Sequence, residues 1–176
     1  MSFKLPGQFL RFKIALLSLS LLLFTVNSNA QIVSGEVFLQ GDFVEVGISA
    51  CGSFGTENSP PAGYHPTENG MGFVADAGMD GWNTGTPIYC GDYFLPGSPI
   101  EGFGLQIGAD VYLNSNNGPM CGNFEIPGSV SNYSNLGGQV SATWTGSVAG
   151  MSVESTTRVP TDKLYFVTDV ELCNTT

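Results

Sequence analysis

Apolar and polar residues alternate with period two along several stretches of the chain. In Phe43-Val44-Glu45-Val46-Gly47-Ile48, the residues Val44, Val46 and Ile48 fall on one face and Glu45 on the other. Val140, Ala142 and Trp144 alternate with Ser141, Thr143 and Thr145. Leu164, Phe166, Thr168, Val170 and Leu172 alternate with Tyr165, Val167, Asp169 and Glu171. Such alternation, in segments rich in Val, Phe, Tyr and Thr and bounded by Gly, Pro and Asn, predicts strands with one buried face. No window holds apolar residues at the 3, 4 and 7 spacing of a helix for long enough to predict one. The expected fold is therefore all-β, an antiparallel β-sandwich with long Gly/Pro-rich loops. The longest of these loops run over Gly52–Gly72 and Asp76–Pro87, whereas residues 122–173 read as the more regular half. Asn114-Ser115-Asn116-Asn117-Gly118-Pro119 reads as a turn cluster, a loop within one sandwich or an internal border near 114–120.

The N-terminus changes the picture. Lys4, Arg11 and Lys13 precede an apolar run from Ile14 to Val26, and Asn27-Ser28-Asn29-Ala30 follows with small residues one and three before a cut after Ala30. This is the layout of a secretory signal peptide over 1–30, with an extracellular β-sandwich domain over 31–176. The apolar run is shorter than the roughly 20 residues needed to span a bilayer, so no membrane anchor is expected in the mature chain. With the leader removed, only Arg158 and Lys163 remain against 15 acidic residues, a net charge of −13 over 146 residues. Two cations cannot neutralise a row of phosphates, which excludes nucleic acid as a partner. The acidity suits a soluble exterior surface and one that recruits divalent cations.

Cys51, Cys90, Cys121 and Cys173 all lie in the exported part. An even number outside the cytosol reads as two disulfides, of three conceivable connectivities. Cys51–Cys90 with Cys121–Cys173 is the favoured pairing because neighbours in sequence often lie on consecutive strands. Spacings of 39, 31 and 52 residues do not resemble zinc-site pairs. Each cysteine but the last opens a C-G-x-aromatic phrase (Cys51-Gly52-Ser53-Phe54, Cys90-Gly91-Asp92-Tyr93, Cys121-Gly122-Asn123-Phe124) that points to a shared strand-end geometry, with Gly in an unusual dihedral.

Candidate chemistry is sparse. Asp76 and Asp80, four apart and followed by Gly81, suggest oxygen ligands for calcium, the one cofactor the sequence raises, set against a turn whose aspartates cap backbone N–H groups. Asp92 and Glu101 flank a loop and could in principle form a glycosidase carboxylate pair. Trp82, Tyr64 and Tyr93 are aromatic candidates for stacking on a sugar or a protein partner, set against core roles. A single histidine, His65, leaves no Ser-His-Asp set, and no catalytic residue is assigned.

Several phrases carry a resemblance. Gly41-Asp42-Phe43-Val44-Glu45-Val46-Gly47-Ile48, Cys51-Gly52-Ser53-Phe54-Gly55-Thr56, Pro61-Ala62-Gly63-Tyr64-His65-Pro66, Gly72-Phe73-Val74-Ala75-Asp76 with Asp80-Gly81-Trp82, and Tyr89-Cys90-Gly91-Asp92-Tyr93-Phe94-Leu95-Pro96-Gly97-Ser98-Pro99 together resemble the N-terminal module of large secreted Bacteroidetes surface proteins. Those proteins often carry further β-sandwich repeats and a gliding-motility-associated, type IX sorting domain at the C-terminus. The resemblance covers about residues 35–105 and, more loosely, 140–174. It implies a secreted or cell-surface location and brings no established catalytic residues. The chain lacks the downstream repeats and sorting domain, and reads as a truncated member whose sandwich is incomplete at its C-terminal end. The expected function is a non-enzymatic structural or adhesive module meeting an extracellular polymer or other surface proteins. The alternative is a carbohydrate-binding or enzyme-associated module using the aromatic and acidic loops between 60 and 102.

Overall fold

The computed structural model describes residues 29–66, 70–117 and 121–176. The leader expected over 1–30 lies outside them except for Asn29 and Ala30. Those two residues open the first strand, β1 (Asn29–Val33), so the anticipated cut after Ala30 falls inside it. β1, β2 (Glu36–Gln40), β3 (Val44–Ile48), β4 (Phe73–Ala75) and β5 (Cys90–Tyr93) form a five-stranded antiparallel sheet in that order. β6 (Gly102–Ile107), β7 (Asp110–Asn116) and β8 (Gly122–Phe124) form a three-stranded one. β9 (Gly128–Leu136), β10 (Gln139–Val148), β11 (Met151–Pro160) and β12 (Val167–Asn174) form a four-stranded meander with β9 and β12 at its edges. Among the described residues there is no helix, and the fold is all-β with sandwich-like packing.

The inner face of the meander follows from its alternation. Val140 pairs with Val159, Ala142 with Thr157, Trp144 with Ser155 and Gly146 with Val153, which places all eight on one side. The half bearing Val140, Ala142 and Val159 packs on Ala30, Val37, Leu39, Val44, Val46 and Ile48 of the five-stranded sheet. The other half, with Trp144 and Val153, packs on Ile126 and on Phe103, Leu105 and Tyr112 of the three-stranded sheet. A bulge in β9 opposite Thr143/Trp144 marks the changeover, as expected where a strand must bend from one packing partner to another. Trp144 stands at the meeting of all three sheets. Its ring is edge-on to Phe103 at 5.6 Å, and its Nε1 donates to the Ala50 carbonyl at 3.0 Å. A Cβ on Gly52, Gly128 or Gly146 would lie within 2.5 Å of the indole, so only glycine lets the chain approach it this closely.

The five-stranded sheet is covered on its second face as well, by the loop that follows β3. Phe38 and Tyr64 meet edge-to-face at 5.9 Å and enclose Met71 with help from Val33. Glu45, expected on a polar outer face, is fully buried beneath this loop. A period-two pattern assigns faces but does not say that an outer face stays open. The Asn-rich segment expected as a turn also differs. Asn114, Ser115 and Asn116 are buried and end β7. Asn114 Nδ2 donates to Cys51 O and Ile126 O at 2.9 Å, and Asn116 Nδ2 donates to Phe54 O at 2.9 Å and Phe94 O at 2.8 Å. These amides knit the three-stranded sheet to the first half rather than separating two units.

Candidate functional site

Buried carboxylates position the loops that build the site. Gln40 and Glu45 are cross-strand neighbours on β2 and β3, and Gln40 Nε2 donates to Glu45 Oε1 at 2.7 Å. The other Glu45 oxygen accepts the His65 backbone N–H at 3.0 Å, while His65 Nδ1 meets Oε1 at 2.7 Å. A fully buried carboxylate is tolerable only with several such partners. The two bonds to His65 fix it in place from both its backbone and its ring. Gln40 Nε2 also donates to the Gly63 carbonyl at 2.7 Å, which holds the loop at a second point.

A second turn brings Trp82 to the same place. Asp76, itself buried, accepts N–H bonds from Asp80 (3.3 Å), Gly81 (2.8 Å) and Trp82 (3.0 Å), winding the chain tightly around its carboxylate. Trp82 Nε1 donates to Asp42 O at 2.8 Å, and its indole lies flat on the His65 ring, centroids 3.9 Å apart and planes 10° from parallel. Trp82 sits at φ 61°, a left-handed conformation that is uncommon for so bulky a residue and that clusters at functional sites. Trp82, His65, Gln40, Asp42, Asn29 and Asn135 line a cleft of about 600 Å³ with a mainly polar lining. Burial, and next the nearby Asp162 carboxylate, hold Asp42 above the ordinary carboxylate range.

The sequence candidates divide sharply. Trp82 is at the cleft wall, and His65, noted in sequence only as a turn residue and an insufficient lone histidine, is its partner. The cue that could have found it is a Gln-x4-Glu strand pair, Gln40 and Glu45, whose side chains need a partner from elsewhere in the chain, which is a weak signal. Tyr64 is a core residue, 6 % exposed, and its hydroxyl donates to the Phe38 carbonyl at 2.8 Å and the Asn29 carbonyl at 3.2 Å, so it offers no open ring face. Burial pushes its phenol pKa up, with Glu45 adding to the effect. Tyr93 is exposed on β5 and stacks on Phe73 at 5.8 Å, away from the residues that line the cleft.

The two calcium candidates adopt the capping arrangement. Both Asp76 oxygens are engaged by backbone N–H groups. Exposed Asp80 accepts from Asn83 N at 2.9 Å and from the Thr84 hydroxyl, and these bonds, the Thr84 one first, hold its carboxyl below the usual range. Among the described residues, no three His, Cys, Asp or Glu side chains converge as metal ligands. Asp92 and Glu101 serve different segments, Asp92 Oδ1 accepting from Gly72 N at 2.8 Å and Glu101 from Phe54 N. Burial lifts Glu101 to about 7. It borders a separate, mainly apolar cleft of about 350 Å³ with Phe103, Leu105, Val153, Val170 and Leu172.

The expected disulfide pairing does not appear. None of the four cysteines stands at bonding distance from another. Cys90 pairs with Ala75, which pairs with Val44 at the start of β3, whereas Cys51 follows the end of that strand. The two are thus at opposite ends of the sheet. Cys173 lies on the outer face of β12, exposed and against Glu171, which raises its thiol pKa, while Cys121 is buried at the start of β8. Sequence adjacency failed because the strand order, not the chain order, decides which cysteines meet. The shared C-G-x-aromatic geometry does hold, with Gly52, Gly91 and Gly122 at φ 84°, 83° and 63°.

Compared with protein-family models, curated proteins and solved structures, the chain matches none of them.

Proposed function

We propose that the chain is a non-enzymatic extracellular binding module, adhesive in role, that takes a polar polymer such as a carbohydrate chain into the Trp82–His65 cleft. The observation that carries this reading is the rigid presentation of Trp82. Its backbone is held by Asp76, its indole nitrogen by Asp42, and one ring face by His65. An aromatic fixed in this way at a polar cleft loses little entropy on binding, which is what a weak-contact ligand such as a sugar requires. The phrase-like resemblance to secreted Bacteroidetes surface modules, and the basic-apolar-small layout of the N-terminus, support placing the module outside the cell. A cut after Ala30 takes Asn29 off the cleft wall and widens its mouth.

The test is a glycan-array and polysaccharide pull-down screen, run with calcium and with a chelator. Binding to at least one polymer is expected, abolished by Trp82→Ala and kept by Tyr93→Ala. Silence across the screen, or retention of binding by Trp82→Ala, would overturn the reading. Dependence on calcium would bring Asp76 and Asp80 back as ligand-side groups.

A further inference from the structure

We infer that Cys51 and Cys121 are the cysteines that join in a disulfide, tying the end of β3 to the start of β8 and so the five-stranded sheet to the three-stranded one. Both are buried, and both lie at the same point of the fold. Cys51 Sγ approaches the Ser115 carbonyl at 3.6 Å, and Ser115 pairs with Gly122, the residue after Cys121. The two thiols lie close enough to perturb each other's ionisation, and the Ser49 hydroxyl stands 3.0 Å from Cys51 Sγ. Cys121 is further fixed by its N–H, which donates to Glu57 Oε1 at 3.2 Å, and by a left-handed φ of 72°. Asn114, next to Ser115, holds the Cys51 carbonyl from the same side. Neither Cys90 nor Cys173 shares any of these contacts, and each is exposed on a different sheet.

The chemistry is thiol–disulfide exchange with a small-molecule or protein disulfide as oxidant. The thiolate of one of the two cysteines attacks one sulfur of the oxidant, whose S–S bond breaks and releases one thiolate. The thiolate of the other then attacks the cysteine sulfur of the mixed disulfide and expels the second. Two cysteines are oxidised, one disulfide is reduced to two thiols, and the two cysteine protons end on the departing thiolates. In the folded protein the Cys121 side chain, ahead of the Ser49 and Ser53 hydroxyls, favours the Cys51 thiolate against the opposing effect of burial, and the same contact pushes Cys121 up. Because both are buried in the folded protein, the exchange happens in the still-open chain, and folding then shields the bond from reductants.

The full chain, reduced and denatured, is refolded in a reduced/oxidised glutathione buffer, alkylated, and digested with a Glu/Asp-specific protease, since trypsin has few sites here. Mass spectrometry is expected to recover a Cys51 peptide linked to a Cys121 peptide, with Cys90 and Cys173 alkylated or glutathionylated. The bond closes a loop of 70 residues, so adding reductant should lower the melting midpoint by roughly 10 °C in the chain-entropy picture. The Cys90→Ser/Cys173→Ser variant should show the same reductant-dependent shift. Linkage of Cys51 to Cys90 or of Cys121 to Cys173, alkylation of both Cys51 and Cys121 after refolding, or disappearance of the shift in the double variant would each overturn the inference.

Discussion

The meander β9–β12 and the segment from β3 to β5 satisfy their backbones by different means. In the meander, ten-residue strands β10 and β11 pair along their whole length, and nearly every inner position is filled by a side chain from the same alternating set. Between β3 and β5 the chain makes long excursions with few ladder partners, and side chains take over. Glu36 accepts from Glu57 N at 2.7 Å and Asn58 N at 2.9 Å, while Glu45, Asp76 and Asp92 act likewise on His65, the 80–82 turn and Gly72. Including Glu57, Asp80, Glu101 and Glu125, eight of the 14 acidic side chains among the described residues accept these backbone N–H bonds, none of the eight after Glu125. Much of the acidity thus serves as scaffolding for loops. A buried N–H must be paired, and where no neighbouring strand supplies a carbonyl, a carboxylate does.

The sharpest way to break the contrast is at the seam where the two regions meet. Trp144→Ala removes the ring shared by all three sheets and leaves the Ala50 carbonyl without its indole partner. It should cost about 4 kcal/mol, read as a drop in the denaturant midpoint, and should loosen both regions together. Glu45→Ala tests their independence. It strips partners from the His65 N–H, the His65 ring and Gln40, and should cost about 3 kcal/mol. Amide exchange should accelerate over residues 61–66 and 76–84 while β10 and β11 keep their protection. Equal loss of protection in β10 and β11 would dissolve the distinction.

The smallest effect concerns pH. Glu101 rises from 4.5 to about 7 on folding because it is buried. Its protonated form is favoured in the folded state, so between those values the folded protein binds more proton than the unfolded one. This contribution to stability is complete below 4.5 and is lost as pH climbs through about 7, amounting to about 2 kcal/mol once partial solvent screening is allowed for. Glu101→Gln keeps an acceptor for Phe54 N–H and should flatten that slope in melting midpoints. A slope unchanged in Glu101→Gln would assign the effect to other groups.

The regular region was largely legible from sequence. Alternation located β10, and β3 outside it; in β12 it marked the face that Leu172 shares with Val153, but Val170 and Leu172 stay exposed there, and Phe166 packs beside Phe54 and Phe73 before that strand begins. The loop-built region was not, and the reason is physical. Glu45 looks like any outward polar residue until a loop 20 positions away is folded over it. Asn114 and Asn116 have the composition of a turn, and only contacts with Cys51, Phe54, Phe94 and Ile126 reveal them as buried clasps. Trp82 could be singled out as an aromatic in a polar turn, but the histidine on which it rests lies 17 residues earlier. Long-range polar contacts leave no periodic trace.

The placement of the two tryptophans also makes the protein its own optical instrument. Trp144, dry between three sheets, should emit at short wavelength and shift to the red only when the whole molecule opens. Trp82 lies against an imidazole, so its emission should respond to the charge of that ring and to anything laid on its other face. One indole therefore records folding and the other occupancy, and the difference between wild-type and Trp144→Phe spectra separates the two signals without any added label.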